Sequence, residues 1–166
     1  MLDLPPLERQ LYDLLTGRRL TLATAESCTG GLVGHLITTV SGSSAYYLGG
    51  VIAYSNELKQ ALLGVPASIL ETHGAVSREC AEAMARGIRE QTGADIGIST
   101  TGIAGPTGAT LTKPVGLVYV ACATPHGVTC EEHRFSGDRL TNIRLAAEAA
   151  LRLALREAAA LPEPGS

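Results

Sequence analysis

Residues 24–31 (TAESCTGG) constrain the fold of this chain more than any other stretch. They overlap the end of a short apolar run, residues 20–25, and precede residues 32–40, whose apolar spacing is helical. A strand, a tight turn and a helix are therefore predicted in that order. At such a helix N-terminus the first backbone N–H groups have no intrahelical partner, and the helix dipole adds partial positive charge. Ser27 lies in this turn, where those groups could stabilise an oxyanion forming beside its side chain.

The same turn also has a simpler explanation. Ser27 or Thr29 can cap the following helix, while Gly30 and Gly31 can supply the backbone freedom that the turn needs. By pattern alone, a helix cap is the commoner role for such residues. Cys28 is a second candidate nucleophile, although a free cysteine is more often a small buried apolar side chain.

Helical and strand-like segments alternate along the rest of the chain. Helices are predicted within residues 4–15, 32–40, 57–63, 67–72, 77–91 and 138–155, and strands at 20–25, 47–54, 95–100, 115–123 and 128–135. The first helix is predicted to have Asp3 as its cap and to end at Gly17. Charged residues place the last strand at an edge. This order predicts an α/β fold, a three-layer α/β/α sandwich with a mixed, mostly parallel sheet of about five strands.

Composition restricts the class of protein. The 166 residues are 45% hydrophobic and 17% charged, with a net charge of −3. We therefore expect one globular domain over residues 1–166, with a frayed tail at 161–166, and neither a nucleic-acid nor a membrane partner. No apolar run reaches the roughly 18 residues of a membrane span, and the N-terminus lacks the pattern of a signal peptide. The four cysteines form no C-x-x-C pair, which favours a cytoplasmic protein with reduced thiols.

A nucleophilic serine needs a base to take its proton. None of the four histidines, His35, His73, His126 and His133, is marked as that base by its position. Lys59 follows the strand at 47–54, whose end can meet Ser27 at the carboxyl edge of the sheet. As a base near pH 7, Lys59 would need its pKa lowered by about 3 units from its reference value of about 10.4. A solvated helix lysine is the commoner case on spacing alone.

A second candidate site is the glycine-rich loop at residues 100–108, which follows a predicted strand. Its hydroxyl and amide groups could bind a phosphate, a carboxylate or a sugar, and Lys113 could add positive charge. An ordinary long turn is the alternative, because the loop matches no standard phosphate-binding motif. A metal site is not predicted, since strand alternation places Cys130 and His133 on opposite faces.

Six blocks along the chain together resemble the CinA C-terminal domain family. They are TAESCTGG (24–31), YSNELK (54–59), HGAVS (73–77), GIAGP (102–106), KPVG (113–116) and FSGDR (135–139). The resemblance implies a three-layer α/β/α fold and a metal-independent serine amidohydrolase without a cofactor. Its expected substrate is nicotinamide mononucleotide (NMN), whose carboxamide is cleaved to give nicotinate mononucleotide and ammonia. In this interpretation Ser27 is the nucleophile and Lys59 is the base.

The resemblance also suggests roles for further residues. Tyr54 and Thr101 are candidates to orient the lysine or the serine. The expected substrate-binding residues are Cys28, Thr29, Gly30, Gly31, Asn56, Gly102, Gly105 and Lys113. A homodimer is the ordinary expectation for a small α/β enzyme. Two alternatives stay open, a non-catalytic nucleotide-binding or partner-binding domain of the competence/damage-inducible type and an amidase acting on a different substrate.

Overall fold

The structure, a computed structural model, describes residues 3–163. Its helices are α1 (Leu7–Arg18), α2 (Leu32–Thr38), α3 (Asn56–Leu63), α4 (Ala67–Thr72), α5 (Arg78–Thr92) and α6 (Arg139–Ala160), and a short 3₁₀ helix spans Ser43–Ala45. Its strands are β1 (Leu22–Glu26), β2 (Tyr47–Ile52), β3 (Ile96–Gly102), β4 (Leu117–Thr124) and β5 (Gly127–Arg134). The order of the α-helices and strands is the predicted one, and the helical turn expected at residues 67–72 forms the short helix α4.

The strands form one open sheet in the order β2-β1-β3-β4-β5. β1 is parallel to both β2 and β3, while β4 runs antiparallel to β3 and to β5. Four of the five strands therefore point the same way, and β5 is at an edge as predicted. Helices α1, α2 and α6 cover one face, and α3, α4 and α5 cover the other. This mixed, mostly parallel sheet between two helical layers confirms the predicted fold class.

The core is aliphatic and lies on both faces of the sheet. β1 is buried along its whole length, as expected for an interior strand between two helical layers. Its alternating side chains serve both layers, because Leu22 packs with α1, α2 and α6 whereas Ala23 and Ala25 pack with α3 and α5. Burial on both faces fixes the end of β1, and therefore the start of the turn at Ser27.

Two element boundaries differ from the prediction. Helix α1 begins at Leu7 and not near Asp3, since Pro6 is extended (φ −53°, ψ 154°) and proline disfavours the helical conformation of the residue before it. Gly17 lies inside α1, which instead ends at Arg18 and is followed by Arg19 in a left-handed conformation with φ 56°. Strand β3 continues through Thr101 and Gly102, because both residues pair with β4.

This topology gathers the candidate residues at one edge of the sheet. β1 and β3 are parallel neighbours and end at Glu26 and Gly102, and β2 leads directly into α3. The carboxyl ends of such strands form the usual ligand crevice of an open α/β sheet. Over residues 3–163, none of the helices has both the length and the apolar character needed to cross a membrane.

Candidate active site

Ser27 and Lys59 meet at the carboxyl edge of the sheet. The Nζ atom of Lys59 lies 3.0 Å from the Oγ atom of Ser27, and both residues are buried, with 1% and 8% of their surfaces exposed. Ser27 follows β1, and its backbone N–H donates to the carbonyl of Thr100 on the neighbouring β3 at 3.1 Å. Lys59 lies on α3, whose N-terminus is capped by the hydroxyl of Ser55. The predicted nucleophile and base are therefore within direct hydrogen-bonding distance.

Two backbone carbonyls fix the direction of the Lys59 amine. Its Nζ atom donates to the carbonyl oxygens of Ala53 at 2.9 Å and Tyr54 at 3.0 Å. A neutral amine has two N–H groups and one lone pair, so donation to both carbonyls directs the lone pair at Ser27. Burial lowers the pKa of Lys59 from its ordinary value, because the charged ammonium form is disfavoured away from water. The arrangement thus favours an amine that can accept the proton of Ser27.

A cavity of about 210 Å³ opens above this pair. Eleven residues line it: Ser27, Cys28, Tyr54, Asn56, Lys59, Ala75, Val76, Thr101, Gly102, Ala104 and Arg139. In the described part of the chain no histidine is among them, so Lys59, which hydrogen-bonds Ser27, is the candidate proton acceptor of the site. The cavity is smaller than most pockets that enclose a drug-sized ligand, which hold about 300–1,000 Å³.

The turn after Ser27 has both committed and free N–H groups. The N–H of Gly30 donates to the carbonyl of Ser27, and that of Gly31 donates to the carboxylate of Glu26. Within residues 3–163, the N–H groups of Cys28 and Thr29 donate no hydrogen bond to another residue. Both groups immediately follow the candidate nucleophile, and of the two residues Cys28 lines the cavity, so its N–H is the candidate donor to an oxyanion.

The sequence profile of the CinA C-terminal domain family matches residues 5–158. The chain belongs to this family. It is 57% identical over 125 residues to a CinA-like protein of Desulfotalea psychrophila, covering 75% of this chain and 30% of that protein. It is also 52% identical over 150 residues to a CinA-like protein of Salinibacter ruber, covering 90% of this chain and 36% of that protein. The chain thus spans about a third of the length of these relatives.

Solved structures of the CinA superfamily have the same fold. A competence-damaged protein (CinA) superfamily protein of Klebsiella pneumoniae matches with a TM-score of 0.90 and 34% identity, over 93% of this chain and 97% of that one. The competence/damage inducible protein CihA of Agrobacterium tumefaciens matches with a TM-score of 0.87 and 38% identity, over 94% of this chain and 99% of that one.

Four of the predicted residues in this CinA domain line the cavity without contacting Ser27 Oγ through their own side chains. Cys28 remains a thiol, because burial raises its pKa to about 12, which makes it a poor rival nucleophile. The Tyr54 side chain is 65% exposed, and this residue holds Lys59 through its backbone carbonyl. Asn56 lies in the first turn of α3, and Gly102 ends β3.

Thr101 has a different partner from the one expected. Its buried hydroxyl donates to the carbonyl of Ala75 at 2.8 Å and, among the described residues, forms a hydrogen bond with neither Ser27 nor Lys59. Because Ala75 lines the cavity, Thr101 fixes the cavity wall and does not orient the nucleophile or the base. The expectation that its side chain orients one of them is therefore corrected.

Thr29, Gly30 and Gly31 lie behind the cavity and do not line it. The Thr29 side chain is buried, donates to Glu26 and shares a hydrogen bond with Thr100 at 2.8 Å. Gly30 and Gly31 have positive φ values of 60° and 107°, which make the turn possible. In the structure these residues shape the turn, and of their backbone N–H groups only that of Thr29 is uncommitted.

Lys113 and Gly105 lie beside the cavity rather than in it. The Lys113 ammonium donates to the carbonyl of His73 and lines a neighbouring cleft of about 320 Å³. The two cavities share Val76. The Gly105 carbonyl accepts a hydrogen bond from Arg139 at 2.8 Å. Lys113 therefore does not enter the wall around Ser27, because its side chain is held against the loop before α5.

Arg139 is a site residue that the sequence interpretation missed. It begins α6 directly after the capping residue Asp138, and it lines the cavity. Buried Asn142, one turn later, donates to the carbonyls of Ala104 and Gly137 and so ties the glycine-rich loop to α6. The signal was present, since an Asp cap predicts a helix start there and the family block at 135–139 ends on this arginine.

Proposed function

We propose that this chain is an amidohydrolase that converts NMN to nicotinate mononucleotide and ammonia. The observation that supports this most strongly is the Ser27–Lys59 pair, with its 3.0 Å separation and the two carbonyls that direct the amine. An adjacent neutral amine is one of the established ways to activate a serine. Membership of the CinA family agrees with the proposal but does not specify the reaction.

In the first half-reaction, neutral Lys59 takes the proton of Ser27 while Oγ attacks the carboxamide carbon. The carbonyl oxygen becomes an oxyanion, which the uncommitted N–H group of Cys28 can bind. The C–N bond then breaks, and Lys59 gives its proton to the departing nitrogen, which leaves as ammonia. An ester between Ser27 and the nicotinate carbonyl remains.

In the second half-reaction, water replaces ammonia. Lys59 accepts a proton from the water as its oxygen attacks the ester carbon. The ester bond to Ser27 then breaks, Oγ recovers the proton from Lys59, and nicotinate mononucleotide leaves. One basic group can serve both halves because it returns to its neutral form each time.

Substrate recognition needs more space than the cavity around Ser27 provides. About 210 Å³ suits the carboxamide, its ring and part of the ribose, so the phosphate would lie toward the rim. Arg139 lines that cavity, and its planar guanidinium is suited to bidentate phosphate binding. Asn56, Gly102 and the glycine-rich loop are proposed to contact the ribose.

The experiment is ammonia release from NMN by the purified protein, with EDTA present and with Ser27→Ala as the paired variant. Release that requires Ser27 and survives EDTA is the expected result. Thr38→Ala, a change on the exposed side of α2, is the matched control and is expected to keep full activity. A fully active Ser27→Ala protein would contradict the mechanism. Saturable NMN binding without ammonia release would favour a non-catalytic nucleotide-binding domain.

A further inference from the structure

Glu26 is a buried carboxylate immediately before the candidate nucleophile. Only 3% of its surface is exposed. Its two oxygen atoms accept four hydrogen bonds, from the N–H groups of Gly31 (3.2 Å), Val33 (2.9 Å) and Gly34 (3.0 Å) and from the hydroxyl of Thr29. No lysine or arginine among the described residues forms an ion pair with it. Burial of a carboxylate is very unfavourable unless such bonds compensate it, so this geometry is strongly restrained.

The carboxylate also changes what the start of α2 can do. The N–H groups of Val33 and Gly34 point at Glu26 and are therefore not available to a substrate. Among the backbone N–H groups around Cys28–Gly30 that are expected to bind an oxyanion, that of Gly30 is committed to the Ser27 carbonyl, whereas that of Cys28 is uncommitted and belongs to a residue that lines the cavity.

Two hydroxyls extend the restraint toward Ser27. The Thr29 hydroxyl donates its only proton to Glu26, so in the pair with Thr100 it acts as the acceptor. The side-chain Oγ1 atom of Thr100 in turn lies 3.4 Å from the backbone nitrogen of Ser27. Glu26, Thr29 and Thr100 therefore support the nucleophile turn from beneath, and none of the three side chains reaches the cavity.

We propose that Glu26 is a positioning residue that holds the turn after Ser27 so that the N–H group of Cys28, a residue that lines the cavity, faces the reacting carbonyl. This proposal rests on the proposed serine mechanism and extends it to a residue that touches no substrate. Because the turn is needed in the transition state and not for substrate binding, its loss lowers kcat and leaves KM nearly unchanged.

The test is Glu26→Gln, which keeps the size of the side chain but replaces an acceptor with an NH₂ group. This group cannot accept from the α2 N–H groups, so the turn is expected to relax. We expect kcat for ammonia release from NMN to fall by about tenfold or more, with KM within about threefold of wild type. Thr29→Val removes one hydroxyl link at nearly constant volume, and a smaller fall in kcat, about threefold to tenfold, is expected.

A second readout does not require NMN hydrolysis. A fluorophosphonate probe forms a bond between Ser27 Oγ and phosphorus as the P–F bond breaks, with the serine proton passing to Lys59 and fluoride leaving. This reaction also develops negative charge on an oxygen that the turn must bind. The labelling rate of Ser27 is therefore expected to fall in Glu26→Gln in parallel with kcat.

Arg18→Met is the control for a general loss of stability. Arg18 bonds the carbonyls at the end of α6, Ala158, Ala159 and Leu161, and contacts no residue of the site. It is expected to lower Tm without changing kcat or the labelling rate. A parallel loss of activity in this folded control would overturn the positioning role.

The remaining outcomes are each decisive. Glu26→Gln activity and labelling within twofold of wild type would overturn the proposal, as would an increase in KM with unchanged kcat. If wild type labels at Ser27 but releases no ammonia, the proposed function fails while the labelling rates still decide the role of Glu26. A folded wild-type protein that does not label contradicts both proposals. If Glu26→Gln does not fold, Thr29→Val decides, and wild-type rates in that variant would overturn the positioning role.

Discussion

The surroundings of Lys59 favour its uncharged form over the ammonium that a solvated lysine carries. The side chain is nearly fully buried, and its polar contacts are two carbonyls and the hydroxyl of Ser27. No acidic side chain in the described residues forms an ion pair with it. Carbonyl dipoles orient the amine but compensate a full charge only partly, so burial dominates and the pKa falls.

The pH dependence of the reaction follows from the lowered pKa of Lys59. The base must be neutral, so kcat/KM is expected to rise with pH through the Lys59 pKa and to level off below the pH of about 10.4 at which an ordinary lysine titrates. Lys59→Arg is expected to be inactive between pH 6 and 10, because arginine stays protonated. Profiles of kcat/KM against pH over that range test this, and a rise in kcat/KM centred near pH 10.4 would contradict it.

Mutation of the two cationic side chains near the site, Arg139 and Lys113, distinguishes phosphate binding from the chemical step. Arg139→Met is expected to raise KM for NMN by about tenfold or more and to leave kcat/KM for nicotinamide riboside, which has no phosphate, nearly unchanged. Lys113→Met in the adjoining cleft is the matched comparison and is expected to have the smaller effect. Steady-state kinetics with both substrates decide between them. A larger effect of Lys113→Met on NMN alone would place the phosphate in that cleft.

At the residue scale, local pattern alone favoured a helix cap for Ser27 and a solvated helix lysine for Lys59, and the resemblance to the CinA family was needed to pair them as nucleophile and base. Their proximity follows from the parallel pairing of β1 and β2, which brings the turn after β1 beside the start of α3. The position of the Lys113 side chain could not be predicted, because this long side chain in a loop is held by a carbonyl that is distant in sequence, that of His73. Arg139 shows the same limit, since its position depends on how α6 packs against the glycine-rich loop.

At the scale of elements, α3 is positioned by its contact with α5. A Cβ atom added at Gly87 in the middle of α5 would lie only 1.9 Å from the carbonyl oxygen of Leu63, the last residue of α3. Only a glycine permits this approach of the two backbones. Since Lys59 is one helical turn before Leu63, the contact also restrains the base.

Gly87→Ala is therefore expected to displace α3. Overpacking of this kind costs about 1–3 kcal/mol, which for a chain of this size lowers Tm by about 2–12 °C. The shift of Lys59 is expected to lower kcat by about tenfold. Gly17→Ala in α1 is the control, because no atom lies within 4 Å of its added Cβ, and a gain of about 0.5–1 kcal/mol is expected. Thermal melts and kcat measurements test this, and equal Tm and kcat values for the two variants would contradict it.

Element boundaries show what the sequence could and could not predict. Periodicity and caps identified the helices at Ser55, Ser77 and Asp138, because each cap is a local hydrogen bond. The end of β3 was missed, since pairing of Gly102 with Val118 on β4 overrides the weak strand preference of a Thr-Gly sequence. Boundaries that depend on a distant partner are the ones that local pattern cannot determine.

At the scale of the whole molecule, the four cysteines lie on both faces of the sheet and share a raised pKa. Burial raises the pKa of Cys28 and Cys122 to about 12 and that of Cys80 and Cys130 to about 11. A thiol in the unfolded chain ionises near pH 8.5. Above that pH the unfolded state loses protons that the folded state keeps, so the free energy of unfolding decreases as pH rises. The lowered pKa of Lys59 has the opposite effect on the free energy of unfolding, but Lys59 is one group and the cysteines are four.

We therefore expect the protein to unfold in alkali, with most of the loss between pH 9 and 11. Each protonated thiol contributes a slope of up to about 1.4 kcal/mol per pH unit in that range. Cys122→Ala on β4, remote from the site, is expected to make the decline shallower by about 1 kcal/mol per pH unit, although the cavity it leaves lowers stability at pH 7. Val120→Ala on the same strand loses buried volume but no titratable group, so its slope is expected to equal that of wild type. Denaturant unfolding in reducing buffer from pH 7.5 to 11 measures all three slopes. Equal slopes for Cys122→Ala and Val120→Ala would show that the buried thiols do not cause the alkaline loss of stability.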